Sequence, residues 1–428
     1  MTAVSALAVS AVLARLLQPS ALGTYFLATS LAVTGAMIGN LGLHQTVQST
    51  VAASLGLGDR PRARRLIEVI ATIGVGCAIA AALLYLVLGR VIAVHLFKDR
   101  ALLSVNVLVG AWIFFLAAQT LFSETLRAVQ DLRMASVMAG ALSGVLLAVS
   151  LLVLLVLRGS TDIRTAVAIS VASAAVGGVA AGVVVAARAR RLAARAAGGG
   201  VTVAGILGAS WPQMVTVLAA SRMSVIPLWI VSASAPHDQV ALFGTASRVA
   251  FTVVLPFGLV TAVLPPIIAE LWARRETARL EEVLRTVAGV VLLPVSLVSL
   301  VLLVFGGRLL SFAFGGFYGH GATALVLLVA GYWVNALAGA CGEVLMMTGH
   351  QRTMMGVTLL SVAVLTAGCQ LVVGPYGVNG VAAVTGASFV LQNALMMAAA
   401  RRQCGLWTHA DVLGAIRRLR SLPEVLRR

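Results

Sequence analysis

Two arginines, Arg222 and Arg248, stand inside stretches that are otherwise apolar. A guanidinium is planar and always charged, and it presents its donors in a fork that fits a phosphate or a carboxylate. Inside a bilayer it costs about 3 kcal/mol or more unless water or an anion meets it. The stretch holding Arg222 runs from about Ala204 to Val231, and the one holding Arg248 from about Val240 to Ala269. Counted from their outer ends at 1.5 Å per residue, both arginines lie roughly 12–14 Å deep, near the midplane of a ~30 Å core. In this assignment none of the 14 Asp and Glu residues falls at that depth. The pair is therefore a candidate for holding a substrate phosphate. The competing reading is structural, with the side chains snorkelling or bonding backbone carbonyls.

The remaining polar residues sort by position. Glu124 and Glu343 fall at matched cytoplasmic helix ends, each followed by an arginine, Arg133 and Arg352. A gate closed by charge pairs to these arginines or to neighbouring loops is one reading; capping and solvation of the helix ends is the other. Asn40, His44, Gln48, Gln119, Asn335, Gln370, Gln392 and Asn393 could bond sugar hydroxyls, with Asn40, His44, Gln119 and Asn335 taken as the substrate-binding candidates. Interhelical hydrogen bonds explain such residues equally well. The cysteines (Cys77, Cys341, Cys369, Cys404) and the six scattered histidines show no ligand spacing, so neither a metal nor a cofactor is expected. No nucleophile elbow, P-loop or zinc-protease helix occurs. The chemistry on offer is binding and passage, not catalysis.

The elements that must position these residues are transmembrane helices. The chain has 428 residues, of which 60% are hydrophobic and 11% charged, and its mean hydropathy is +1.02. That composition excludes a soluble globular protein, and the long uninterrupted apolar runs exclude a membrane β-barrel. The expected spans are Met1–Ala14, Tyr25–Val47, Leu66–Leu88, Ala101–Ser123, Met134–Leu157 and Thr165–Ala187. They continue with Ala204–Val231, Val240–Ala269, Val283–Phe305, Ala322–Met346, Met354–Val373 and Val378–Ala400. That makes about twelve helices. The turn before the second span is assigned to Pro19 and Gly23 as breakers. The first span is short and follows no basic segment, so the chain as given is expected to start inside its first helix.

The net charge of +17 follows from topology rather than from nucleic-acid binding, for which no motif is present. Loops assigned inside carry 22 of the 31 Lys and Arg residues, against seven outside: Arg15, Arg90, Lys98, Arg100, Arg158, Arg164 and Arg308. This bias places both termini in the cytoplasm of a multi-pass protein of the inner membrane. The stretch RARRLAARAAGGG at residues 188–200 is basic and ends in three glycines. It reads as a cytoplasmic hinge between lobes 1–187 and 201–402. Residues 403–428 form a basic tail in which Val412, Ile416 and Leu419 keep helical spacing. That pattern fits an amphipathic helix on an anionic leaflet.

The two halves repeat each other. Residues 124–133 and 343–352 both read E-x-L-x6-R, 219 positions apart, and Tyr25–Leu31 echoes Phe243–Val249 at 218. The loop at Asp59–Glu68 echoes that at Arg274–Glu282. A duplicated six-helix unit keeps its orientation, because six is even, and places the substrate path between the copies.

The turn ARLLQPSALGTYFLATSLA, then GNLGLHQTVQS and a basic helix, resembles the start of the polysaccharide and oligosaccharide flippases. These belong to the multidrug, oligosaccharidyl-lipid and polysaccharide exporter superfamily. ALFGTASRVAFTVVLPFGLV, FGGFYGHGATALVLL, GEVLMMTGHQRT and GPYGVNGVAAVTGAS follow the same pattern in order. The resemblance implies two six-helix lobes around a central cavity that alternate between inward-open and outward-open states. It also implies a lipid-linked saccharide as cargo, with a polysaccharide polymerase or glycosyltransferases as neighbours in the pathway. A cation-coupled drug antiporter of the same superfamily would call for a membrane-buried carboxylate, and a membrane polymerase for an acidic outer loop. The sequence favours the flippase over both.

Overall fold

A computed structural model describes residues 2–192, 206, 210, 223–261, 264–412 and 414. The described residues are helical, with turns between helices and no strand. Among them nine helical runs are long and apolar enough to cross a membrane. The chain is an all-α, multi-pass membrane protein. Two shorter apolar helices, Ala6–Leu16 and Met223–Ser234, stand where the first and seventh spans are expected. Large side chains such as Val87, Val156 and Leu371 are exposed at 74%, 83% and 77%, which suits a lipid surround rather than water.

The chain divides into two compact units, Met1–Ser221 with Pro236–Ala241, and Arg222–Ala235 with Leu242–Arg428. In the first unit lie α1 (Thr2–Leu16), α2 (Pro19–Asn40), α3 (Leu43–Gly56), α4 (Arg60–Val91), α5 (Arg100–Ser104), α6 (Asn106–Ala128), α7 (Leu132–Ser136), α8 (Leu142–Arg158) and α9 (Ile163–Arg191). Leu43, Val47, Ile70, Leu121 and Val185 form its buried core between α3, α4, α6 and α9. The second unit contains α10 (Met223–Ser234), most of α11 (His237–Ala250), α12 (Leu255–Thr261), α13 (Leu264–Ala273), α14 (Thr277–Phe314), α15 (Ala322–Ala338), α16 (Cys341–Met347) and α17 (Gln351–Cys404). Ile268, Leu284, Val344, Leu345 and Ala400 are buried together there.

Several expected boundaries change. Pro19 does not break a helix but begins α2, the first-turn position where its missing N–H costs nothing. The expected span Tyr25–Val47 ends at Asn40, because Leu41 and Gly42 turn left-handed (φ 46° and 75°). The expected span Val240–Ala269 tightens into a 3-10 turn at Phe251–Val254. Pro256 has no N–H for the Thr252 carbonyl, which accepts from Leu255 instead. Gly339 (φ 72°) separates α15 from α16 inside the expected span Ala322–Met346. The helical run α17 has 54 residues and a non-helical Gly377 beside Pro375. At 1.5 Å per residue it is about 80 Å long, enough for the eleventh and twelfth passes.

The expected hinge, residues 188–200, is described only in part. Arg188 itself lies in α9, while residues 193–200 are outside the described residues. Pro236–Ala241 groups with the first unit because Gly23 of α2 leaves room for the His237 carbonyl: a Cβ there would stand 2.1 Å from its oxygen.

The internal repeat extends to backbone hydrogen bonds. After α3, Gly58 N–H donates to the Leu55 carbonyl at 3.0 Å and Asp59 N–H to that of Ser54 at 2.9 Å. After α13, Arg275 N–H donates to Trp272 at 3.0 Å and Glu276 N–H to Leu271 at 3.0 Å. Both are Schellman caps with a left-handed residue at the turn. The pattern recurs at Gln130–Asp131 and Gly349–His350, where Asp131 N–H donates to Leu126 and His350 N–H to Leu345.

Candidate functional site

Arg248 lies at the middle of the apolar run His237–Gly258, about 16 Å from its start. It is half-buried, is held by an interaction within the fold, and lies in the last turn of α11, just before the 3-10 turn. A 3-10 stretch inside a membrane helix is a weak point where direction can change. Arg222, its expected partner, lies outside the described residues.

The described carboxylates keep to helix ends. Asp59, Asp99 and Asp131 cap α4, α5 and α7, accepting from the backbone N–H groups of Arg62, of Ala101 and Leu102, and of Met134. Asp162 and Glu276 precede α9 and α14, and Asp238 is in the first turn of α11. Glu68 belongs to the basic start of α4 and pairs with Arg64 at 2.9 Å. Positive charge therefore reaches mid-span, whereas negative charge, among the described residues, does not.

One polar cluster joins α3 to α6. Gln48 Nε2 donates to Glu124 Oε2 at 2.5 Å, and Arg127 donates to Glu124 Oε1 at 2.9 Å. The expected gate pair of Glu124 with Arg133 is not formed. Arg127, one turn along the same helix, reaches the carboxylate first, and Arg133 is exposed. His44 lies one turn before Gln48 on α3, and its Nδ1 is buried without a described partner. Glu343 makes no ion pair with Arg352 among the described residues; Glu343 is half-buried in the first turn of α16 and Arg352 is exposed.

Two of the sugar-binding candidates are used internally. Asn40 is 3% exposed, and its Nδ2 donates to the Ala36 carbonyl at 3.1 Å. Gln119 donates from Nε2 to the Met138 carbonyl at 2.8 Å and to Ser143 Oγ at 3.0 Å. It thereby pins the π-helical stretch Val137–Ala141, whose Gly140 is non-helical. Both amides donate within the fold. Asn335 is half-buried on α15 with no hydrogen bond to another described residue.

Three further polar contacts went unread in the sequence. Arg188 pairs with Asp131 at 2.5 Å, tying the end of α9 to the α6–α7 turn. Asp99, 2% exposed, accepts from Thr24 Oγ1 at 2.7 Å and stands 3.7 Å from His237 Nδ1. The aspartate-led helix starts were a legible signal of capping, but their distant partners were not. The first residues of the tail are bonded within the fold. Thr408 donates to the Ala338 carbonyl at 2.8 Å, Ala410 N–H to that of Leu337 at 2.9 Å and Asp411 N–H to that of Arg285 at 3.1 Å. Residues 408–411 thus dock on α14 and α15; Ile416 and Leu419, which carry the expected amphipathic pattern, lie outside the described residues.

No protein-family model matches the sequence, and no curated protein matches it. Solved structures do match in three dimensions. A multidrug-resistance MATE family transporter of the MOP superfamily, in its inward-facing conformation, has TM-score 0.76 and 14% identity, covering 95% of this chain and 95% of its own. The lipid II flippase MurJ, inward closed, has TM-score 0.69 and 12% identity, covering 94% and 86%. The chain has the fold of these transporters. The Vibrio cholerae MATE transporter VcmN in its bent form is a further match, with TM-score 0.59 and 17% identity over 94% and 98%. The MATE and MurJ likeness, at such low identity, concerns the fold alone. Among the described residues no group of three or more His, Cys, Asp or Glu could hold a metal ion.

Proposed function

We propose that the protein is a flippase that moves a polyprenyl-phosphate- or diphosphate-linked oligosaccharide across the cytoplasmic membrane by alternating access, for cell-surface polysaccharide assembly. The observation that carries this reading is the sign of the charge at mid-span. Arg248 puts a guanidinium at the centre of its apolar run, while the described carboxylates stay at helix ends. A lipid phosphate has to cross that zone, and a forked cation lowers the cost of its passage. Arg222 is assigned the same role from its sequence position. The solved flippase of the same fold, named for lipid II, makes a lipid-linked cargo chemically compatible with this architecture. The basic loops set both termini in the cytoplasm, the basic tail meets anionic lipid there, and a polymerase or glycosyltransferases receive or supply the cargo.

A second reading is a multidrug antiporter, favoured by the likeness to MATE transporters. The two differ in what the purified protein moves. Reconstituted in proteoliposomes, it should move a fluorescent polyprenyl-diphosphate saccharide to the opposite leaflet, read by an impermeant quencher. Under a pH gradient it should not extrude a cationic dye. Dye extrusion without lipid movement would replace the flippase by the antiporter.

A further inference from the structure

α14 has 38 residues and is about 57 Å long, nearly twice the ~30 Å apolar core. Its apolar run ends near Phe305, and three residues later comes Arg308. Arg308, Ser311 and Phe312 follow one another on one face of the last turns, at helical spacing. The chain then turns at Gly315 (φ 117°) and folds back as the 3-10 turn Gly316–Gly321. Gly319 lies so close to α14 that a Cβ there would stand 2.3 Å from Ser311 Oγ. Between helix and turn is a shallow, open notch of ≈ 650 Å³, lined by Arg308, Ser311, Phe312 and His320 with Gly316 and Gly319.

The charge of this notch is positive. Arg308 is exposed and makes no ion pair with any described acid. His320 Nδ1 is 2.9 Å from the Phe317 carbonyl, an acceptor only, so Nδ1 carries the proton. The repeat shows why no carboxylate answers this guanidinium. Lys98 and Gly315, 217 positions apart, both have positive φ, which aligns Asp99 with Gly316. In the first unit Asp99 caps α5 and binds Thr24; in the second the matching residue is glycine.

The rim is apolar and outward-facing. Phe312 is 82% exposed, Phe305 49% and Leu309 37%. A small soluble anion would leave that surface unused, whereas an anion on an acyl chain would cover it.

We propose that this notch binds the phosphate of a membrane lipid. Arg308 forks onto the phosphate oxygens, Ser311 donates to the same group beside His320, and the hydrocarbon lies along Phe305, Leu309 and Phe312. The site does not depend on which cargo the protein carries.

Native mass spectrometry of the delipidated full-length protein tests this, with dioleoyl-phosphatidylglycerol as the probe. R308Q/H320Q should retain at least fivefold less of the lipid than wild type, while R164Q, at an exposed arginine on α9, should retain it unchanged. F312S should lower retention by at least twofold. A polyprenyl phosphate that displaces phosphatidylglycerol at equal concentration would support the site and assign its phosphate to the cargo class. Equal retention by wild type and R308Q/H320Q would overturn the site. Full displacement by inorganic phosphate, or unchanged retention by F312S, would overturn its assignment to a lipid.

Discussion

Gly58 and Arg275, 217 positions apart, occupy the same left-handed backbone state (φ 75° and 58°) in two Schellman caps of matching hydrogen bonds. Glycine adopts this state freely, whereas an L side chain costs about 1–2 kcal/mol. The second copy of the turn therefore carries strain that the first does not. Arg275→Gly should raise stability by about 1 kcal/mol. Gly58→Ala should lower it by a similar amount, although a Cβ at Gly58 meets nothing within 4 Å. Thermal unfolding in detergent reads both, and shifts of the same sign would contradict the shared geometry.

The Gln48 bond to Glu124 links α3 to α6 at a carboxylate whose side chain is only 14% exposed. Gln48→Leu leaves that carboxylate with Arg127 alone and should cost about 1–3 kcal/mol. Glu124→Gln, which keeps a hydrogen-bonding group without the charge, should cost less. If the cluster is a gate, both variants also slow cargo movement at equal protein level. If it only caps the helix end, unfolding temperature falls and the transport rate does not.

Helices α15 and α17 meet at Gly331 and Gly386. A Cβ on Gly331 would stand 2.6 Å from Gly386 Cα and 3.0 Å from its carbonyl oxygen. Gly331→Ala should cost about 2 kcal/mol or more through overpacking, seen as loss of the monodisperse peak in size-exclusion chromatography. Gly356→Ala, on an open face of α17, should gain about 0.5–1 kcal/mol of helix propensity. Equal behaviour of the two variants would refute the close crossing.

His409 follows α17 and packs edge-on to Trp407, 5.3 Å between ring centroids. Burial, and then the Arg285 guanidinium, hold its imidazole below the ordinary value of 6.5, against the opposing pull of Glu281 and Asp411. Arg401 stacks on the far partner, Trp407, at 5.1 Å. The docked segment thus disfavours the imidazolium, and the released segment binds the proton more readily. Docking carries no penalty above about pH 6.5 and weakens as the pH falls below it. Hydrogen exchange at Ala410 and Asp411, corrected for intrinsic rate, should speed up from pH 7.5 to 5.5 and stay flat in His409→Gln. A pH response surviving in that variant would point away from His409.

The membrane passes were legible because each needs about 20 apolar residues, and the repeat because matched turns carry matched residues such as Glu124 and Glu343. Breaks inside the passes were not. Leu41 turns left-handed between Asn40 and Gly42, and Gly339 separates two apolar helices, positions where a glycine alone does not say that the helix stops. That the Ala36 and Met138 carbonyls accept from Asn40 and Gln119 is likewise not visible in the sequence. Asp99 and His237 come together from far apart in the chain, a pairing no local pattern encodes. Arg248 was legible because a lone charge in an apolar run stands out whatever surrounds it.

The most direct test is movement of the polyprenyl-diphosphate saccharide by proteoliposomes carrying wild type, Arg248→Lys or Arg248→Gln at matched folded protein. The account predicts that the glutamine variant loses at least tenfold in rate, while lysine, which keeps the charge but not the fork, retains part of it. A glutamine variant that moves the lipid at the wild-type rate would contradict the claim that a mid-span cation carries the phosphate across.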